Sequence, residues 1–151
     1  MFFFIRNFFY EFICFLHNSI IIVFVLLVYG DINITFFGFF IIFFFLFIIT
    51  LFQITIITGI FGTRYSDFKE LLNSILTILF FTSPIIWVKD FDSSIVDLNL
   101  VYHLIEIVRL PLQNSFPPIN SVYYISVVNL ILFFINSYTY TKSRNKIILW
   151  L

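Results

Sequence analysis

The chain has 151 residues, 62% of them hydrophobic and 11% charged, with 25 phenylalanines and a mean hydropathy of +1.10. A soluble domain is near half apolar and a quarter charged; a water-soluble fold of this length has nowhere to put so much apolar side chain, so the solvent must be lipid. A formal net charge of zero argues against a nucleic-acid partner, and the single cysteine, Cys14, excludes an intrachain disulfide or a cysteine-based metal site.

The expected fold is an all-α membrane protein, one transmembrane domain over residues 1–151 with about four spans and a short amphipathic helix in an outer loop. The first span covers about residues 8–29, long enough for a hydrocarbon core of ~30 Å. It does not read as a secretory signal: Arg6 is the sole basic residue before it, and no small-residue cleavage site follows. Glu11, His17 and Asn18 interrupt it. A charge at the bilayer centre costs about 2.5–3.5 kcal/mol, which places Glu11 near the interface. Glu11 and Asn18 share a helical face, either as interhelical hydrogen-bond formers or as polar lining of a transport path.

A polar turn at Gly30-Asp31-Ile32-Asn33 leads into the second span, about 36–61, a nearly unbroken run of Phe, Ile and Leu. Such a wall packs against lipid and neighbouring helices, or lines a conduit. Gly59 and Gly62 at its end permit a close helix–helix approach. The loop that follows ends on Asp67-Phe68-Lys69-Glu70, a capping-box pattern with Asp67 as N-cap. The third span, about 71–87, is the shortest. Pro84 breaks it, Thr82 and Ser83 stand beside the break with hydroxyls that can satisfy freed backbone groups, and Trp87 reads as an interfacial anchor.

Residues 89–120 form the longest stretch expected not to span. Leu98, Val101, Leu104, Ile105 and Val108 recur at helical spacing, with Asp97, His103, Glu106 and Arg109 on other faces, which predicts an amphipathic helix too short to cross a bilayer. Pro111 and then Pro117-Pro118 are expected to end it, and Glu106 and Arg109 can pair on one face. The last span covers about 122–140, followed by Lys142, Arg144, Lys146 and Trp150. Charge then gives the topology. Arg6, the Arg64/Lys69 loop and the basic C-terminus share one side, while Asp31, Asp90, Asp92, Asp97 and Glu106 share the other. The positive-inside rule puts both termini in the cytoplasm of a multi-pass protein.

Motifs of catalysis are lacking. No glycine opens a phosphate-cradling G-x-x-x-x-G-K-[ST] loop, and His17 and His103 have no carboxylate or cysteine at metal-ligand spacing, so no cofactor, metal or catalytic residue is expected. No Ser/His/Asp set can be ordered from the sequence.

Three segments carry a family resemblance. Gly62-Thr63-Arg64-Tyr65-Ser66-Asp67, then Phe81-Thr82-Ser83-Pro84-Ile85-Ile86-Trp87, resemble the G-T-R-[FY]-x-D loop and T-P-I-[IL]-W helix end of ABC-2 permeases that export O-antigen, capsular polysaccharide or teichoic acid. Asn99-Leu100-Val101-Tyr102-His103-Leu104-Ile105-Glu106-Ile107-Val108-Arg109-Leu110-Pro111 resembles the family's N-P-x-Y-x-[LI]-[LI]-E-x-[VI]-R-x-P segment, with Leu100 where the family usually has proline. Arg6-Asn7, His17-Asn18 and the basic, tryptophan-bearing end are also similar.

The resemblance implies the later four spans of a six-span permease, as a gene fragment, a mis-called start or one half of a split permease. It implies a plasma (inner) membrane location, a permease homodimer, a separate ATP-binding cassette subunit that hydrolyses ATP, and a lipid-linked glycan as cargo. It implies an ATPase-coupling loop at Thr63, Arg64, Tyr65 and Asp67, and an outer gate or re-entrant element with Pro84, Trp87, Tyr102, Glu106 and Arg109. Glu11, His17 and Asn18 are the intramembrane polar candidates. A non-transporting four-helix scaffold of a glycan-assembly complex is the alternative. An embedded glycosyltransferase is disfavoured, because no acidic pair clusters on the cytoplasmic side.

The topology is testable by site-directed labelling. With Cys14 removed, Ser66→Cys and Ser94→Cys are expected to react with an impermeant thiol reagent from opposite sides of the membrane. Labelling of both from outside overturns the orientation.

Overall fold

The computed structural model describes residues 2–29, 33–65, 67–83 and 96–143. Five α-helices follow one another: α1 (Phe2–Tyr29), α2 (Ile34–Arg64), α3 (Phe68–Thr82), α4 (Leu100–Leu112) and α5 (Ile119–Ser143), with a single 3-10 turn at Val96–Leu98 before α4. Among the described residues, three stretches are long and apolar enough to cross a membrane: Ile5–Leu26, Ile34–Arg64 and Ile119–Ser143. The described part of α3 has 15 residues and α4 has 13, about 22 and 20 Å of helix.

Local chemistry sets the ends. Asn33 caps α2, its side-chain oxygen accepting from the Thr35 N–H at 3.1 Å. The helix then runs on to Arg64, beyond the Phe61 expected from hydropathy, because helical hydrogen bonds tolerate the polar Thr63 and Arg64 once they leave the apolar layer. At α3, Asp67 occupies the N-cap position but makes no side-chain cap bond: its backbone is already helical (φ −81°, ψ −6°), whereas a capping side chain needs an extended N-cap. The expected capping box is therefore not formed.

Pro111 stands one residue short of the end of α4, and the helix is closed by Asn114 in the left-handed region (φ 57°). Ser115 N–H bonds the Leu110 carbonyl at 3.0 Å and Asn114 N–H the Pro111 carbonyl at 3.2 Å, the paired bonds of a Schellman cap. Pro117-Pro118 do act as punctuation. The Pro118 carbonyl accepts from Ser121 N–H at 3.0 Å, opening α5.

The side-chain contacts fix the directions. Phe8 packs on Phe52 and Phe15 on Phe44 and Phe47, so α1 and α2 run antiparallel. Asn129 lies against Thr50, Asn136 against Gln53, and Tyr138 to Ser143 against Ile60 to Arg64, so α2 and α5 run parallel. The chain between them must come back, and it does so in two pieces. Phe68 at the start of α3 stacks on Phe61 near the end of α2, with ring centroids 5.7 Å apart. An added Cβ on the exposed Gly62 would meet only the Phe68 ring, at 3.9 Å, so Gly62 faces the next helix start and not a tight helix crossing. The far end of α3 meets the start of α4, and α4 continues in the same sense until Asn114 accepts from the Asn33 N–H at 3.3 Å. Two short helices end to end thus match most of the ~46 Å length of the 31-residue α2.

Polarity is turned inside out relative to a soluble protein. Phe, Ile, Leu and Tyr side chains cover the exterior, whereas Thr50, Ser83, Asn99, His103, Ser121, Asn129, Asn136 and Ser143 are buried. Exposed apolar surface with buried polar groups is the arrangement lipid demands. The apolar core is small: Leu104 and Ile107 of α4 close on Ile125 of α5, roofed by Phe43, Leu46 and Phe47 of α2.

The α2–α5 seam is polar. Asn129 donates to Thr50 Oγ1 at 2.9 Å, and Asn136 donates to the Gln53 carbonyl at 3.1 Å. A double-mutant cycle on Thr50→Val and Asn129→Leu, read by unfolding in mixed micelles, is expected to give a coupling of about 0.6 kcal/mol and no more than ~1.7 kcal/mol. Zero coupling would remove this bond from the forces holding the helices together.

Candidate functional site: the α3–α4–α5 polar joint

Helix ends carry carbonyls and N–H groups that lack partners within the helix. At the junction of α3 and α4 three side chains, Thr82, Ser83 and Asn99, bond to backbone groups or to each other. Ser83 donates its hydroxyl to the Leu79 carbonyl at 2.7 Å, while Thr82 donates to the Ile78 carbonyl at 2.7 Å. Asn99 then uses both ends of its amide. Its oxygen accepts from the Val101 N–H at 2.9 Å, capping α4, and its nitrogen donates to Ser83 Oγ at 3.0 Å and towards the Leu79 carbonyl at 3.4 Å. Ser83 and Asn99 are both buried. The hydroxyls expected beside Pro84 are therefore engaged one turn back. Pro84 and Trp87 themselves lie outside the described residues, as do Ser66, Ser94 and the basic residues after Ser143.

From this joint α4 presents three polar side chains to its neighbours. Tyr102 donates to Glu106 Oε1 at 2.9 Å, and Ser121 of α5 donates to Glu106 Oε2. His103 lies with Nδ1 2.9 Å from Ser121 Oγ and Nε2 2.8 Å from the Asp97 carbonyl. Its ring packs on Tyr124 with centroids 4.3 Å apart, and Tyr124 donates its hydroxyl to the Leu98 carbonyl at 2.9 Å. Both Glu106 oxygens thus turn towards Tyr102 and α5, not along α4 to the exposed Arg109, and the expected Glu106–Arg109 pairing gives way to a contact between helices.

The structure brings Tyr102 and Glu106 of the expected outer element together and adds His103, Ser121, Asn99 and Ser83. Sequence reasoning passed over Ser121 because it stands 15 residues from Glu106 and 18 from His103. The signal was there in weak form: Ser121, Asn129, Asn136 and Ser143, four hydroxylated or amide residues of α5, are spaced seven or eight apart like a helix seam. The Glu106–Ser121–His103 set is not a hydrolytic triad. Ser121 sits between the acid and the imidazole and is only 2% exposed, so no substrate carbonyl reaches its oxygen. Among the described residues no three His, Cys, Asp or Glu side chains converge to hold a metal.

The candidate coupling residues lie at the other end. Arg64 closes α2, its guanidinium 5.1 Å from the Tyr65 ring centroid, and Thr63 donates to the Ile60 carbonyl at 2.9 Å. Residues 65–67 alone separate α2 from α3. Arg64 also lines a cleft with Tyr138, Thr139 and Lys142 of α5. In α1, Glu11 borders an apolar groove against Phe47, Ile48 and Leu51, while His17 and Asn18 are exposed on the outer side of the bundle. Among the described residues, neither Glu11 nor Asn18 makes an interhelical hydrogen bond, and α1 is held instead by phenylalanine packing.

Compared with known proteins, the chain matches no family model, no curated sequence and no solved structure.

Asn99 is the residue on which the joint turns, and its two roles can be separated. Asn99→Ala is expected to lose about 1 kcal/mol for the cap and roughly 0.6 kcal/mol for the interhelical bond. Asn99→Ser retains a capping oxygen and is expected to recover only the larger part, measured by unfolding in mixed micelles. Full recovery by serine would mean that the tie to Ser83 contributes nothing.

Proposed function

We propose that the chain is a transmembrane subunit of an exporter that moves a lipid-linked polysaccharide across the plasma membrane, paired with a second permease copy and driven by a separate ATPase. The observation that carries this reading is the seating of α4: a 13-residue helix that starts deep between α2 and α5, is polar at its inner end, and belongs to the segment whose sequence resembles the permeases. A helix of that length does not cross a bilayer, so its backbone at depth is tolerated only where protein groups satisfy it. Membrane proteins place such broken elements along paths for polar cargo.

In this reading α3 opens the third of four crossings, and α4, which continues it in the same sense, forms its gated second half. Tyr102 and Glu106 hold α4 to α5 in the closed position. The three-residue turn after Arg64 lies at the cytoplasmic side, where a push from a nucleotide-binding partner passes straight into α3 and on to the α4 joint. Both termini are cytoplasmic. The chain itself hydrolyses nothing.

Loss of an exporter leaves finished lipid-linked glycan inside the cell, whereas loss of an assembly scaffold leaves none made. Deleting the chain is therefore expected to deplete surface glycan while lipid-linked glycan accumulates at the cytoplasmic face, scored by surface labelling and lipid extraction. Arg64→Ala, in cells carrying the partner ATPase, is expected to cut export with membrane insertion unchanged. Arg64→Lys, which keeps the charge and loses the bidentate fork, is expected to restore it only in part. Absence of both surface and internal glycan on deletion overturns the exporter reading in favour of the scaffold.

A further inference from the structure

The facing sides of α2 and α5 hold more hydrogen-bond acceptors than their own donors serve. Asn129 Nδ2 donates to Thr50 Oγ1 at 2.9 Å and to the Ile125 carbonyl at 3.0 Å, and Asn136 Nδ2 donates to the Gln53 backbone carbonyl at 3.1 Å. The oxygen ends of the same side chains are different. Asn129 Oδ1, Asn136 Oδ1 and Gln53 Oε1 are buried and have no donor among the described residues. Turning either asparagine amide over does not help, because its oxygen would then face a backbone carbonyl that can only accept.

The nearby hydroxyls are already committed. Thr50 gives its hydrogen to the Leu46 carbonyl, Thr55 to Leu51, Thr58 to Ile54, Ser126 to Val122 and Thr139 to Ile135. The three oxygens are closed off in this arrangement, so neither a lipid headgroup nor a second chain reaches them from outside. A metal cation is a poor occupant: hard cations take about six to eight oxygen ligands, and neither α2 nor α5 contains a carboxylate to balance the charge. What the oxygens lack is a small neutral donor.

We propose that α2 and α5 form a seam that parts in its middle to admit water, which donates to Gln53, Asn129 and Asn136. The closed seam leaves three acceptors unserved, and the parted seam serves all of them. Parting does not strand the two asparagine nitrogens, because water accepts as well as donates. The helices themselves stay intact, since their backbone bonds are internal. Apolar contacts flank the polar stretch and hold the seam at either side of it: Ile125 with Leu104 and Ile107 before it, Ile56 and Ile60 after it. The seam does not rest on the export reading and belongs to the chain whatever it carries.

The test uses the full chain in lipid bilayers, with nitrogen-15 in the asparagine and glutamine side-chain amides, transferred into deuterium oxide and followed by solid-state NMR. Asn99 is the internal reference, because it is as deeply buried as Asn129 and Asn136 but bonded at both ends of its amide. Each signal is assigned by its loss on substitution, and Gln113→Ser leaves Gln53 as the single glutamine. The side-chain amides of Asn129 and Asn136 are expected to exchange about tenfold faster than that of Asn99, or more. Asn129→Leu combined with Asn136→Leu removes two of the three unserved oxygens and is expected to slow exchange at Gln53. The comparison with Asn99 is made in the unsubstituted chain, so a variant that fails to fold leaves the test standing. Exchange at Asn129 and Asn136 no faster than at Asn99 overturns the proposal, as does unchanged Gln53 exchange in a folded double-leucine variant. Amide signals that move when sodium is replaced by N-methylglucamine would mean that an ion, not water, serves the seam, and overturn it too.

Discussion

Ser83 and Asn99 meet where one helix stops and another begins, and the hydrogen bond between them sets what the rest of the molecule can do. In water, a helix end is served by solvent, and its position along a bundle is a matter of packing. Where water is excluded, as at the buried Ser83 and Asn99, a helix end needs a protein partner, and one residue can serve two ends. Asn99 does this with one amide: its oxygen closes the N-terminus of α4, and its nitrogen reaches the C-terminus of α3. Leu100 after it leaves the cap unharmed because the capping group is the asparagine side chain.

That joint makes the parallel pairing of α2 and α5 possible. Two parallel helices need a return path between them, and α3 and α4 provide it in halves. The outer half is a helical hairpin, α4 doubling back into α5 through the Asn114 cap, with Leu104, Ile107 and Ile125 as its dry centre. The inner half is α3, joined to α2 by three residues. Polar contacts then run as a chain from Ser83 through Asn99 to α4, and from His103 and Glu106 to Ser121 of α5. The first link joins α3 to α4 and the others join α4 to α5, so none is a local decoration of its own helix.

Much of this was legible in the sequence, for physical reasons that differ by element. Composition alone specified a lipid solvent, and long apolar runs specified α1, α2 and α5. The period of Leu104 and Val108 announced α4. What hydropathy could not give was ends: it measures transfer to lipid, while Thr63 and Arg64 extend α2 through backbone bonds that no apolar scale sees. Pro111 marked the end of α4 to within one residue, while the turn that closes it is set by Asn114. The polar site was half legible. Tyr102 and Glu106 share a face one turn apart, whereas Ser121 comes from a helix whose facing depends on packing that no local pattern encodes. Glu11, His17 and Asn18 drew attention as polar residues in an apolar run, yet α1 seats them away from the joint.

The direction of the two short helices has its own electrostatic meaning. α3 ends and α4 starts in the same sense, so the carbonyl end of one faces the N–H end of the other. A helix carries roughly half a positive charge at its N-terminus and half a negative charge at its C-terminus. At the Ser83–Asn99 contact these opposite half-charges nearly cancel, and the pair behaves electrically like one continuous helix. Pulling the two ends apart undoes that cancellation and leaves a separated dipole in a medium of low permittivity. Each bare end then draws in water or a counter-ion, so the movement that parts α3 from α4 also wets the place where they met.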